Sequence, residues 1–416
     1  MRRLITKLTG RGVARRAAEW LIATAGLTGV LAGGPAWGQS GGPTVGGCPA
    51  LPADNVWNAR IDTLPVHPLS DSYVGTIGRA ATLHPDFGAG TWNGGPIGIP
   101  YTTVPGTQAR VRVSFDYASE SDPGPYPIPA NPPIEGGAAS SGDRHILIVD
   151  RDACKLYELY DAYPQPDGSW HAGSGAIFDL TSNALRPAGF TSADAAGLPI
   201  LPGLARYDEV ATGQILHALR FTAPVTQRAY LWPARHYASS NTSLTVPPMG
   251  LRVRLKAGFD ISSFPPRVQV ILTALKRYGM ILADNGSSWF VSGVPDSRWN
   301  DDELVTWFRR VPGDAFEAVD ESSLMVSAGS GQVTTGAPPP TYTLTVYVYG
   351  SGTVTSTPTG IRCSTGACGT GFPAGTVVKL TPSGGLFRRW VGACTGSGSC
   401  VIPMTGNRWV VPVFAP

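Results

Sequence analysis

Residues 142–163, GDRHILIVDRDACKLYELYDAY, place a histidine at the mouth of an apolar strand, and the acid-bearing turn IEGG lies just upstream. Glu135, Asp122, His145 and His217 form the candidate catalytic set. Glycosidic cleavage needs two carboxyl groups in opposite protonation states, and an imidazole beside them can move a proton or orient an acid. Glu135 and Asp122 belong to ESDPGPYPIPANPPIEGG (120–137), a proline-stiffened segment expected to form a rigid acidic rim that also carries Glu120. HILIVD is apolar on both faces, which predicts a strand covered on both sides. If its hairpin pairs His145 with Tyr160, Glu158 falls on the face of His145; a one-residue slip moves it to the other. QILHALRFT reads as a strand in which Ile215, His217 and Leu219 share a face. Asp208 and Glu209 would then stand across a hairpin turn at Gly213. Each of these residues also has a plain structural reading. His145 can cap loop carbonyls, His217 can be a satisfied core residue, and the acids can solvate a surface loop.

His84 and Asp86, in LHPDFG, form an H-x-D pair that suits two metal ligands, a histidine with its orienting acid, or simply a turn. No metal and no cofactor are expected. Trp92, Trp170 and Tyr126 are candidate substrate-binding rings, although aromatics in a β protein also build cores. The chain has no phosphate loop, dinucleotide fingerprint or calcium loop.

The elements that must position these groups are mostly strands. With 52 glycines, 38 prolines and only 15% charged residues, the chain is turn-rich, which predicts a mainly β protein. Residues 45–326 are expected to form a β-sandwich-like region with room for two packed sub-domains. Two helices are predicted in it. One lies in SSFPPRVQVILTALKRYGM, with proline at its start and glycine at its end. The other lies in NDDELVTWFRRVPG, with an asparagine cap and acids in the first turn. SAGSGQVTTGAPPPT, 327–341, reads as a linker to a small β module, 342–416. That module opens on the alternating strand YTLTVYVYG.

The first 38 residues have the basic, apolar and small-residue regions of a secretory signal peptide, so the protein is expected to be secreted, extracellular or periplasmic, with no integral membrane segment after cleavage. They hold six basic residues and one acid. The remainder therefore carries 26 basic against 28 acidic residues, a formal −2, and this argues against nucleic acid as a partner. Cys48, Cys154, Cys363, Cys368, Cys394 and Cys400 are an even set in an exported chain, which favours disulfides. The expected pairs are Cys363–Cys368, Cys394–Cys400 and a long Cys48–Cys154 staple; a zinc site from the last four is the alternative.

LTVYVYGSGTVTSTPTGIRC, GTVVKLTP, FRRWVGACTGSGSC and VVPVF resemble the divergent InlB B-repeat module of bacterial surface and secreted proteins. That resemblance implies a small appended β module without catalytic residues. CPALPADNVWNARID, GIPYTTVPG, GDRHILIVDRDACKLYELYDAY, TSADAAGLPILPGLARYDEV and ILHALRFT resemble a group of secreted bacterial proteins with no assigned activity, over nearly all of 48–320. The expected function is a polysaccharide-acting hydrolase or lyase using carboxylate and histidine acid–base chemistry. The alternative is a non-catalytic carbohydrate-binding or cell-surface adhesion protein. In either case the expected partner is a polysaccharide or cell-envelope glycan.

Overall fold

Strand alternation dominates the chain, and it folds as mainly β structure with four α-helices among the described residues. The computed structural model describes residues 42–334, 341–373, 376–404 and 406–415. The expected signal peptide and the Pro338–Pro340 triplet lie outside them.

Two main sheets carry the large region. The first has four strands in the order Ser174–Asp179, Lys155–Tyr160, Ile146–Asp150, Tyr101–Val104. The second has six: Phe316–Ala318, Arg252–Leu255, Met280–Asn285, Leu219–Ala223, Phe290–Ser292 and His84–Asp86. The four-stranded sheet is covered on both faces, as HILIVD predicts. Leu147, Val149 and Leu156 face the larger core, while Ile146, Ile148 and Leu159 face a smaller one. Ile146 pairs with Leu159 and Leu147 with Glu158. This is the register that sets Glu158 on the His145 face.

The smaller core explains the proline-rich segment. Tyr126, Ile128 and Ile134 are buried in it, so most of 120–137 lies against the sheet and does not form the expected free rim. Burying those apolar side chains outweighs leaving them on an exposed loop. Only the ends of the segment, at Glu120 and Glu135, reach the cavities described below.

Both predicted helices form, as Pro266–Arg277 and Asp301–Phe308. Asn300 caps the second by accepting from the Glu303 amide at 3.0 Å. Asn300→Ala is expected to cost about 1 kcal/mol, read as a lower urea midpoint. Two further helices, Ser70–Ile77 and Tyr207–Thr212, were not foreseen. The second corrects the hairpin expected around His217. YDEVAT winds into a helix closed by Gly213 in the left-handed region, φ 91°, and the following strand starts only at Leu219.

Three disulfides form, Cys48–Cys154, Cys363–Cys368 and Cys394–Cys400. They leave no thiolates for the zinc alternative. Part of the expected linker is folded into the large region. Val333 is 8% exposed in the larger core, and Gln332 donates to Asp54 at 2.8 Å. Backbone hydrogen bonds add to these, from the Gly331 amide to Asn183, the Val333 amide to Asp54 and the Val56 amide to Gly331. The C-terminal module has two four-stranded sheets around its own core, including Leu344, Val346, Val378, Leu380, Trp390 and Val410. The predicted alternation holds there: Leu344 and Val346 are buried, Thr343 and Tyr347 exposed.

Candidate functional site

Glu135 and His145 meet where the four-stranded sheet gives way to loops. The Glu135 amide donates to the His145 carbonyl at 3.0 Å, and this aligns the two side chains. His145 Nδ1 lies 2.5 Å from Glu135 Oε2, and Nε2 donates to the Ala193 carbonyl at 2.9 Å. Both ring nitrogens therefore face acceptors, an arrangement that suits imidazolium. Burial opposes that charge, but Glu135 and then Asp143 overcome it and raise the His145 pKa to about 9. Burial likewise works to raise the Glu135 carboxyl; the charge and hydrogen bonds of His145 prevail and hold it below its ordinary value.

A second cluster lies behind Ala193. Arg220 is 3% exposed and reaches Asp194 Oδ2 at 3.0 Å and Asp284 Oδ2 at 3.9 Å. It also donates to Ser292 Oγ at 2.8 Å. Burial and the neighbouring Asp194 charge raise the Asp284 pKa to about 6, against the pull of Arg220. Burial also raises Asp194. Glu158 points from the hairpin into the same interior and accepts from the Ile200 and Leu201 amides at 2.9 Å. Burial outweighs those amides and raises its pKa to about 7.

Two cavities open onto these groups. The larger, about 700 Å³, is lined by His84, Asp86, Trp92, Glu135, Asp143 and Asp301 among others. The smaller, about 380 Å³, includes Tyr117, Glu120, Asp143, Asp194, His236 and Asp284. Asp143 belongs to both walls. Arg144, beside it, is buried with φ 49° and donates to the Ala138 and Ser140 carbonyls, fixing the loop that forms the larger cavity's wall. Asp86 stands at the sheet edge. Its carboxyl is raised by burial and by the charges of Glu135 and Asp143. Glu135, Asp143 and His145 place one ligand atom each within 4.8 Å of one another.

The expected residues thus divide. Glu135, His145 and Trp92 come together around the larger cavity. His145 itself is sealed, 2% exposed, and acts on the cavity through Glu135. Asp122 is placed elsewhere. It is clamped to Arg186 at 2.5 Å and accepts from the Ile177 amide, outside both cavity linings. His217 also lies outside both linings. Its ring is 1% exposed, set 3.1 Å from Glu209 and 2.7 Å from the Ala218 carbonyl, so it is a satisfied interior residue. Trp170, 8% exposed, and Tyr126, 0% exposed, belong to the smaller core and do not offer a ring to substrate; both are long, flat fillers for the far face of the sheet. Asp284, Asp194 and Arg220 were missed. The available signal was a charge inside an apolar strand, Arg220 between Leu219 and Phe221, because a buried charge needs a partner.

No protein family, curated protein or solved structure matches this chain. What the site can do rests on its own geometry.

That geometry fixes how stability follows pH. Asp284, Glu158 and His145 have folded pKa values of about 6, 7 and 9, all above their ordinary values. The native state therefore holds more protons than the unfolded one across this range, and stability declines as pH rises through it. Glu135, held low, contributes the opposite slope as pH falls below the ordinary glutamate value. Urea unfolding is expected to show a midpoint highest near about pH 5 and clearly lower by about pH 9. A midpoint rising over that interval would contradict the buried charge assignments.

Proposed function

We propose that this chain is an exported polysaccharide-acting hydrolase. Its working groups are Asp284 as proton donor and Glu135 as the ionised carboxylate. The observation that carries the reading is the opposite displacement of these two carboxyls, Glu135 downward and Asp284 up to about 6, in cavities that share Asp143. Groups driven apart in this way are how one site supplies an acid and a base at one pH. Asp284 gives its proton to the departing glycosidic oxygen as the C–O bond breaks. Water adds to the anomeric carbon, and Glu135 takes its proton. His145 is a positioning residue: it keeps Glu135 charged and aimed.

Trp92, 74% exposed on the larger cavity, offers an indole face to a sugar ring. The absence of any Lys or Arg from the described linings favours hydrolysis over a lyase reaction, which must neutralise a uronate. The three disulfides fit an oxidising compartment. No helix among the described residues is long and apolar enough to cross a membrane. The C-terminal module, which resembles an InlB B-repeat, serves as an accessory element.

The test is a panel of glycans assayed for new reducing ends. Turnover on at least one is expected, and Trp92→Ala should raise KM roughly tenfold with kcat nearly kept. Retained glycan binding with no turnover on any substrate would replace this reading with a binding protein.

A further inference from the structure

The two cavities meet at Asp143, which belongs to both linings, and each presents an exposed aromatic ring. Trp92 is 74% exposed in the larger cavity and Tyr117 58% in the smaller. A polymer crossing Asp143 would meet a flat apolar face on both sides, as a chain bound across its reacting linkage requires. A single sugar would need only one arm.

Apart from His84 and His236, the ionisable side chains with acid–base chemistry near neutral pH in these linings are carboxylic acids. Asp86, Glu135 and Asp301 line the larger arm, Glu120, Asp194 and Asp284 the smaller, and Asp143 both. Among the described residues neither lining includes a lysine or arginine. The nearby guanidinium groups are turned to internal work. Arg220 is buried on Asp194, Arg144 on loop carbonyls, and Arg186 on Asp122 and the Glu120 carbonyl. Five of the seven acids accept from backbone amides: Asp301 from Ala89 and Gly90, Glu120 from Thr191, Asp194 from Ala196, Asp284 from Asn285 and, at 3.4 Å, Glu135 from His145. The two left to meet a ligand are Asp86 and Asp143, whose carboxylates have no hydrogen bond or ion pair among the described contacts and which are both exposed.

We propose that the hollow binds a linear glycan carrying free amino groups, a polymer of the deacetylated hexosamine type. Its rings stack on Trp92 and Tyr117, and its ammonium groups lie against the acids around Asp143. The proposal rests on the glycan-cleaving reading and narrows its substrate. A polyuronate would bring carboxylates against Asp86, Asp143 and Asp284 with no cation to separate them, and like-charge juxtaposition across an interface is strongly unfavourable. An N-acetylated chain keeps the ring faces but loses the ammonium charge.

The experiment measures binding by calorimetry, using the purified full chain carrying Asp284→Asn so that turnover is removed. The ligands are equal-length oligomers of glucosamine, N-acetylglucosamine and galacturonate. The glucosamine oligomer is expected to bind at least about tenfold more tightly than the acetylated one, and galacturonate not detectably. Asp143→Asn should weaken the glucosamine oligomer about fivefold with an unchanged circular dichroism spectrum, and added salt should weaken it further. Equal or tighter binding of the acetylated or uronate oligomer, or no binding of any of the three, overturns the proposal. Amine-selective binding without cleavage by the unmodified chain upholds it and retires the hydrolase. Cleavage of a neutral glycan without amine preference does the reverse.

Discussion

Asp284→Asn is expected to lower kcat by about 10²–10⁴-fold, the usual worth of a positioned general acid, while KM changes little. The asparagine keeps the shape of the side chain but has no proton to give. The unmodified protein should show activity that falls as pH rises through about 6, where Asp284 loses its proton. Its acid limb should lie below the ordinary glutamate value, because Glu135 must be ionised and is held low. In the variant the alkaline limb near 6 should vanish from the residual rate. Steady-state kinetics over pH on whichever glycan is cleaved reads both effects. Full turnover in Asp284→Asn, or an unchanged profile, would remove Asp284 from the chemistry.

Arg220→Met is expected to destabilise the fold by about 3–5 kcal/mol, the typical consequence of stripping the partner from a buried ion pair. Asp194 has a side chain with 0% exposure and would remain in the interior without its cation. Ser292 would lose its donor as well. Methionine fills the space of the arginine stem, so the loss reports charge more than volume. Adding Asp194→Asn should restore part of the stability, since the uncompensated charge is then gone. The single variant should regain stability as pH falls and Asp194 takes up a proton. Urea unfolding of the two variants reads this directly. A loss under about 1 kcal/mol, in the range of an exposed pair, would show that the pair is solvated.

The sequence carried the hairpin well. An apolar run with no polar face in HILIVD announced a doubly covered strand, and the period of two then tied Glu158 to the His145 side. Glu135 was in view in the upstream turn, but its pairing with His145 is seen only in the structure. Asp194 and Asp284 were hidden because they come from TSADAAG, a loop, and ILADNG, a strand of the other sheet, segments far from the hairpin in sequence. His217 misled for a related reason. An alternating pattern suggested a strand, but YDEVAT has the acids of a helix start and Gly213 its stop, and the helix won. Trp170 and Tyr126 show that aromatic content alone does not separate a platform from a core; burial does.

The Cys48–Cys154 link fastens the start of the described chain to the tip of the hairpin that carries His145 and Glu158. The fastening anchors the turn of a hairpin whose register, set by its buried apolar face, keeps both side chains on one layer. Its timing matters under the proposed export. While both thiols are reduced, nothing covalent sets the hairpin against the N-terminal segment. After oxidation the alignment is locked. On that reading, the hairpin whose His145 aims Glu135 reaches its final anchorage only where thiols oxidise.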